Sequence, residues 1–164
     1  QPGSRDQRVL DGRSDILRFV SPVLDRDVEV TGPLTVRLFA ATSAADTDFT
    51  AKLIDVHPDG RAMGIADGIV RARYRNGMDQ PSPVVPGEVY EYTIDLGATS
   101  QVFKAGHRIR VDIASSNFPC YDRNSGSGKP AGEVTEDDFV TATQRVFFGP
   151  AHPSSIRLPV IPAE

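Results

Sequence analysis

Leu34, Val36, Leu38 and Ala40 alternate with Thr35, Arg37, Phe39 and Ala41, and the chain repeats this rhythm in short bursts separated by Gly, Pro and Asp. A period of two sends successive side chains to opposite faces, so each burst reads as a strand with one face in a core. Tyr90, Tyr92, Ile94 and Leu96 repeat it against Glu91, Thr93 and Asp95, and Ile109, Val111 and Ile113 against Arg108, Arg110 and Asp112. Phe49, Ala51 and Leu53 oppose Thr50, Lys52 and Ile54 in the same way. No long amphipathic helical pattern and no internal repeat interrupts the series. Val, Ile and Thr outnumber Leu, Glu, Lys and Met by nearly two to one. The first group is stiff at the first side-chain torsion and suits a pleated surface, whereas the second fills helices.

Strands are expected at residues 16–20, 28–31, 34–41, 49–57, 69–74 and 90–96, and again at 141–148 and 155–160. Residues 102–103 and 109–113 read as a hairpin around Lys104-Ala105-Gly106. Pro58-Asp59-Gly60 is a turn, since Pro presets φ and Gly supplies the positive φ. Residues 77–87 hold Pro81, Pro83 and Pro86, too dense in proline for a central strand, and read as a surface connection. Residues 118–135 read as a long loop containing Ser125-Gly126-Ser127-Gly128, with one helical turn within 133–139. Many short strands with turn signals between them predict an all-β fold of two antiparallel sheets packed face to face, a jelly-roll β-sandwich over residues 14–164. Residues 1–13 are polar and Gly-bearing and read as a linker or an arm laid across a neighbour.

At 164 residues and 17.7 kDa the chain is one domain by length, enough to bury roughly 70% of its unfolded surface without metals or disulfides. Net charge is -4 and pI near 5.4, against the basic excess of a nucleic-acid module. The longest apolar run, residues 38–41, falls far short of a membrane-spanning helix. One cysteine, Cys120, allows no internal disulfide. No charged start is followed by an apolar segment, so a cytoplasmic location is expected. A start at Gln1 rather than Met reads as a piece of a longer protein.

Catalytic chemistry finds little purchase. No serine has glycine at both -2 and +2; Gly12-Arg13-Ser14-Asp15-Ile16 comes nearest and fails at the second position. No catalytic residue is assigned. His57, His107 and His152, spaced by 50 and 45 residues, match no local metal motif and read as solvated or loop-bracing. No metal or cofactor is assigned. Asp46-Thr47-Asp48 allows two readings: oxygen ligands for calcium, or Asx side chains bracing a loop through its backbone N–H groups. Gly128-Lys129 fails as a phosphate loop, with Arg123 where the first glycine belongs and Pro130 in place of the hydroxyl. Arg71, Arg73 and Arg75 are expected on one strand face, either paired with Asp on the same sheet or offered to an acidic partner surface. The stretch Ser115-Ser116-Asn117-Phe118-Pro119-Cys120-Tyr121-Asp122-Arg123-Asn124 reads either as an Asx-rich turn tucked onto its own sheet or as a contact loop. Cys120 reads as a small apolar filler.

At this loop the sequence resembles a known family. Val30-Thr31-Gly32-Pro33, Asp46-Thr47-Asp48-Phe49-Thr50-Ala51-Lys52-Leu53 and Asp55-Val56-His57-Pro58-Asp59-Gly60-Arg61 occur in its order. So do Asp67-Gly68-Ile69-Val70-Arg71-Ala72-Arg73-Tyr74-Arg75, Gly106-His107-Arg108-Ile109-Arg110, Ser115-Ser116-Asn117-Phe118-Pro119 and His152-Pro153-Ser154. Together, over residues 6–162, they resemble the C-terminal domain of the X-prolyl dipeptidyl-peptidase and CocE/NonD hydrolases. The resemblance implies a galactose-binding-domain-like jelly roll behind an α/β-hydrolase domain with a Ser-Asp-His triad and a helical cap. Such enzymes cleave X-Pro peptides, small esters or β-lactam side-chain amides. None of the triad maps onto this chain. The departures are Cys120-Tyr121 after Asn-Phe-Pro, and Ser125-Gly126-Ser127-Gly128 in place of an Asn-Thr-Gly-like run. The implied role is an accessory domain packed on its own upstream hydrolase domain, helping to wall the substrate cleft, with homodimer assembly as a further contribution. Its expected contacts are Ser115, Ser116, Asn117, Phe118, Pro119, Tyr121, Arg123 and Asn124, with Arg71, Arg73 and Arg75. The alternative is a free-standing carbohydrate-binding jelly roll, disfavoured by the lack of Trp and by only four Tyr, with Tyr90 and Tyr92 expected in the core.

Overall fold

In the computed structural model, which describes residues 3–162, nine strands follow the alternating segments. They are β1 (Leu17–Val20), β2 (Val28–Thr42), β3 (Asp48–Val56), β4 (Ala62–Arg71), β5 (Tyr90–Phe103), β6 (Arg108–Ala114), β7 (Gln144–Phe147), β8 (Ser155–Arg157) and β9 (Val160–Ile161). One antiparallel sheet runs β1-β6-β3-β4. In the other, β2 lies between β5 and an edge built end to end from β7, β8 and β9. The two sheets form the expected β-sandwich. Leu34, Val36, Leu38, Tyr92, Ile94 and Leu96 from one face Phe49, Ala51, Leu53, Val111 and Ile113 from the other across the core. Phe49 and Tyr92 meet ring to ring at 4.9 Å. The Tyr92 hydroxyl has no hydrogen-bond partner among the described residues, and burial pushes its pKa up to about 12.

The alternation identifies the inward faces correctly but misplaces several boundaries. Gly32-Pro33 does not end a strand; β2 continues through it, because Pro33 at this point needs no ladder donor. Beside it the register with β5 slips by one, from Pro33↔Ala98 to Thr35↔Asp95. The extra residue lies on β5, where Gly97 at φ 74° makes the bulge and donates its N–H to the Asp95 carboxylate at 2.8 Å. Residues 102–103 and 109–113 are not a hairpin. Val102-Phe103 pairs with β2, whereas β6 pairs with β1 and β3, so the Lys104-Ala105-Gly106 turn carries the chain from one sheet to the other. β4 begins seven residues before the expected start, through Gly64 and Gly68, whose missing side chains hide the alternation. Gly68 is there for room: a Cβ on it would lie 2.0 Å from the Asp95 carbonyl oxygen of the facing sheet. The expected helical turn is a 3-10 turn at Glu136–Asp138.

Residues 3–13 begin at the β4 edge and cross the sheet to Arg110 of β6 and Arg18 of β1. The Gly64 N–H donates to the Arg5 carbonyl at 2.9 Å, the Ala62 N–H donates to Asp6 Oδ1 at 3.2 Å, and a 3-10 turn at Gln7–Leu10 follows. Asp11 then reaches Arg110 at 3.0 Å. Arg110 and Asp112 point away from the core yet are 6% exposed, and Ile54 beside them is fully buried. This sheet is therefore shielded on both faces, which explains why β3 is buried almost throughout.

Candidate functional site

The two ends of β3 carry the chemistry-bearing residues. At its start, Asp46 and Asp48 are buried to 1% and 2% exposure. Such carboxylates need positive partners. Arg71, opposite Asp48 in the β3–β4 ladder, grips it with both fork nitrogens at 2.8 and 3.1 Å. The Asp48 carboxylate holds the Arg71 guanidinium pKa above its ordinary value. Arg73 donates to Asp46 from Nε at 2.7 Å and from its backbone N–H at 3.1 Å. Asn124 spans both acids, its Nδ2 donating to Asp46 Oδ2 at 3.0 Å and to Asp48 Oδ1 at 2.9 Å. Its Oδ1 accepts the Gly126 N–H at 2.9 Å. Between the two sequence readings of Asp46-Thr47-Asp48, the geometry selects bracing: the carboxylate oxygens are taken by arginine and asparagine donors.

This lock fixes the base of the loop at residues 115–124. Asn117 holds the near side through Asp67 at 3.0 Å, and Ser116 Oγ accepts the Phe118 N–H at 3.4 Å. Arg123 lies over the Phe139 ring at 4.5 Å and reaches Glu136 at 3.2 Å. Between these anchors the tip is turned out: Phe118 is 63% and Tyr121 39% exposed, flanked by exposed Pro119 and Cys120. Cys120 is thus at the surface and fills no core space. The stretch is a built loop, anchored on its own sheet through Asn117 and Asn124, with an apolar crown turned to solvent.

The arginines do not share one strand face. Only Arg71 belongs to β4; the Ala72 N–H makes one more in-register bond, to the Thr47 carbonyl at 2.8 Å, and the chain then enters a 3-10 turn at Ala72–Tyr74, closed by the Arg75 N–H donating to the Ala72 carbonyl at 3.3 Å. Arg71 and Arg73 serve the lock. Arg75 points elsewhere, over the Tyr90 ring at 4.1 Å and onto the carbonyls of Ala72, Ser82 and Pro83. Of the expected site residues the structure therefore joins Arg71, Arg73 and Asn124 in one network at the base of the loop, with Asn117 tied separately to Asp67, Arg123 at the flank and Arg75 apart.

At the other end of β3, Asp55 is 3% exposed. His107 Nδ1 lies 2.8 Å and His57 Nε2 3.7 Å from its two oxygens. The sequence treated these histidines singly, and only the register joins them: Val56 pairs with Arg108, so His57 and His107 face each other one step beyond. The Asp55–His107 pair has the form of a carboxylate-backed imidazole, but among the described hydrogen bonds no serine hydroxyl meets either ring. His152 packs on Phe39 and Phe147 at 5.5 Å from each.

A third feature was not anticipated. Where the sheets part beside β1, an apolar opening of about 370 Å³ is lined by Phe19, Val36, Leu38, Val111, Ile113, Val146 and Phe148. Phe19 and Phe148 meet edge to face at 5.7 Å at its rim, and Phe148 is 70% exposed.

Comparison with known proteins gives a consistent set. The family model of the X-Pro dipeptidyl-peptidase C-terminal non-catalytic domain matches residues 2–157. Cocaine esterase of Rhodococcus sp. (strain MB1 Bresler) is 52% identical over 159 residues, covering 97% of this chain and 28% of the esterase. A solved structure of an alpha-amino acid ester hydrolase superposes with a TM-score of 0.91 at 37% identity, over 95% of this chain and 27% of the hydrolase. An aminopeptidase from the marine sediment archaeon Thaumarchaeota archaeon does so with a TM-score of 0.92 at 36% identity, over 96% and 27%. The chain thus spans little more than a quarter of the length of each of these relatives.

Proposed function

Because the chain belongs to the family of non-catalytic C-terminal domains of X-Pro dipeptidyl-peptidase and CocE/NonD-type hydrolases, we propose that it docks on the α/β-hydrolase domain of a serine hydrolase preceding it in one longer chain. The loop at residues 115–124 is the contact, and its task is to hold one wall of the substrate cleft in place. The observation that carries this reading is the pairing of an exposed apolar tip, Phe118 and Tyr121, with a buried charged base, Asp46, Asp48, Arg71, Arg73 and Asn124. An exposed aromatic on a floppy loop loses much of its binding energy to ordering; one on a fixed base does not. Faces between domains of one chain typically bury about 600–1,500 Å². The apolar rim at Phe19 and Phe148 supplies a second patch for the same partner or for a second copy of the protein. Positioned groups in a cleft tolerate little misplacement, so a rigid brace affects turnover without touching substrate.

The test uses the longer hydrolase that carries this chain. Phe118→Ser combined with Tyr121→Ser should leave the melting point of this chain alone within about 2 °C, because both side chains are largely solvated. In the longer protein the same pair should lower the melting point by several degrees and reduce kcat/KM. This chain alone should not turn over p-nitrophenyl esters or X-Pro anilides. Identical behaviour of the double variant and the parent in the longer protein would refute the contact.

A further inference from the structure

Four aspartates are almost wholly buried: Asp46, Asp48, Asp55 and Asp112, none more than 6% exposed. Three face a guanidinium, Asp46 with Arg73, Asp48 with Arg71 and Asp112 with Arg110 at 2.7 Å. Asp55 instead meets two imidazoles, His107 at 2.8 Å and His57 at 3.7 Å. The rings lie 4.3 Å apart, tilted by 35°. Arg61 comes only to the far side of His57, 3.5 Å from Nδ1, and is itself engaged with Asp59 at 2.7 Å. A guanidinium supplies permanent counter-charge to a buried carboxylate. An imidazole supplies it only when protonated.

A metal ion would supply it too. One ligand atom from each of Asp55, His57 and His107 lies within 4.8 Å of the others. One carboxylate and two imidazoles are the donor set of zinc and its neighbours, whereas calcium and magnesium prefer all-oxygen cages. We infer that Asp55, His57 and His107 bind a divalent transition-metal ion, of which zinc is the best fit. Zinc–ligand bonds of about 2.0–2.2 Å set donor atoms roughly 3.3 Å apart. The Asp55–His107 pair must therefore open slightly and His57 must close in, at the expense of its long contact with Arg61. Both rings lie toward the surface, 24% and 13% exposed, with solvent on hand for a fourth ligand. The ion takes the place of the proton between Asp55 and His107: from a charged imidazole that proton leaves to buffer, and from a neutral one it moves to Nε2 of the same ring. The consequence is a staple joining the β3–β4 turn to the link between β5 and β6, at the end of the sandwich opposite the Asp46–Asp48 lock.

The test is titration of the EDTA-stripped chain with zinc chloride by calorimetry. One saturable site per chain is expected, with the melting midpoint raised by several degrees in excess zinc. His57→Ala and His107→Ala should each weaken uptake at least tenfold. His152→Ala, on the aromatic pair Phe39 and Phe147, should leave it unchanged. If His107→Ala fails to fold, the more exposed His57 carries the test. Calcium and magnesium chloride should produce no site. Absence of saturable zinc uptake, or uptake that survives loss of His57, overturns the inference.

Discussion

The two ends of β3 hold buried carboxylates with different partners. Asp48, at the first residue of the strand, is held by the fork of Arg71 and by Asn124; Asp55, near its last, is held by two imidazoles. Both carboxylates are nearly inaccessible. The arginine end cannot lose its counter-charge at any ordinary pH, and it also fixes the register of β4 and the base of a loop that presents aromatics to solvent. The histidine end has imidazoles where the other has a guanidinium. A permanent pair belongs under a part that must not move. Imidazoles beside a carboxylate leave room for the metal ion inferred above.

The sharpest way to break this contrast is to make one substitution at both ends. Asp48→Asn leaves the part-buried Arg71 facing a neutral amide and disturbs Asn124, and should cost about 2–3 kcal/mol in denaturant unfolding. Asp55→Asn keeps an oxygen to accept from the His107 ring N–H and should cost under about 1 kcal/mol in the absence of metal. Equal costs would mean that the two ends are equivalent. Between these lies Arg71→Lys, which keeps the charge but removes the two-toothed grip; it should cost about 1 kcal/mol and raise hydrogen exchange around Asn124. The smallest effect is expected away from both ends, at Asp6. Its hydrogen bonds from Arg8 and from the Ala62 N–H lower its pKa to about 2. The group ionises more readily folded than unfolded, so its contribution is complete above the usual carboxylate range and fades as pH falls from about 4 towards 2. Exchange of the Gly64 N–H, which donates to the Arg5 carbonyl, should quicken over that window before the core opens.

The inward faces of the strands were legible because apolar side chains at alternate positions leave one arrangement that hides them. The loop from Ser115 to Asn124 was legible as unusual, and Asp46 and Asp48 as bracing or ligating groups. Which of the two they were depended on where Arg71 and Arg73 point. That is decided by the 3-10 turn at Ala72–Tyr74, which ends the strand between the two arginines, a backbone detail that residue spacing does not carry. The false hairpin around Lys104-Ala105-Gly106 has a similar origin: a tight turn looks the same whether it joins neighbours in a sheet or passes from one sheet to the other. His57 and His107 escaped notice because 50 residues separate them. The available signal was that each adjoins a turn, at Pro58-Asp59-Gly60 and at Lys104-Ala105-Gly106, which register alone brings to one end of adjacent strands. The apolar opening beside Phe19 was invisible because Phe148 reads as a strand residue and sits just past the end of β7.

The most direct test of a fixed base beneath a docking tip is hydrogen exchange across residues 115–128, measured on this chain alone and on the longer hydrolase. The amides of Gly126 and Ser127, which donate to Asn124 Oδ1 and Ser125 Oγ, should be protected equally in both, and those of Cys120 and Tyr121, which donate to the Asn117 carbonyl at the exposed tip, should gain further protection in the longer protein. Uniformly fast exchange across the stretch in both proteins would contradict the account, because neither the lock nor the contact would then exist.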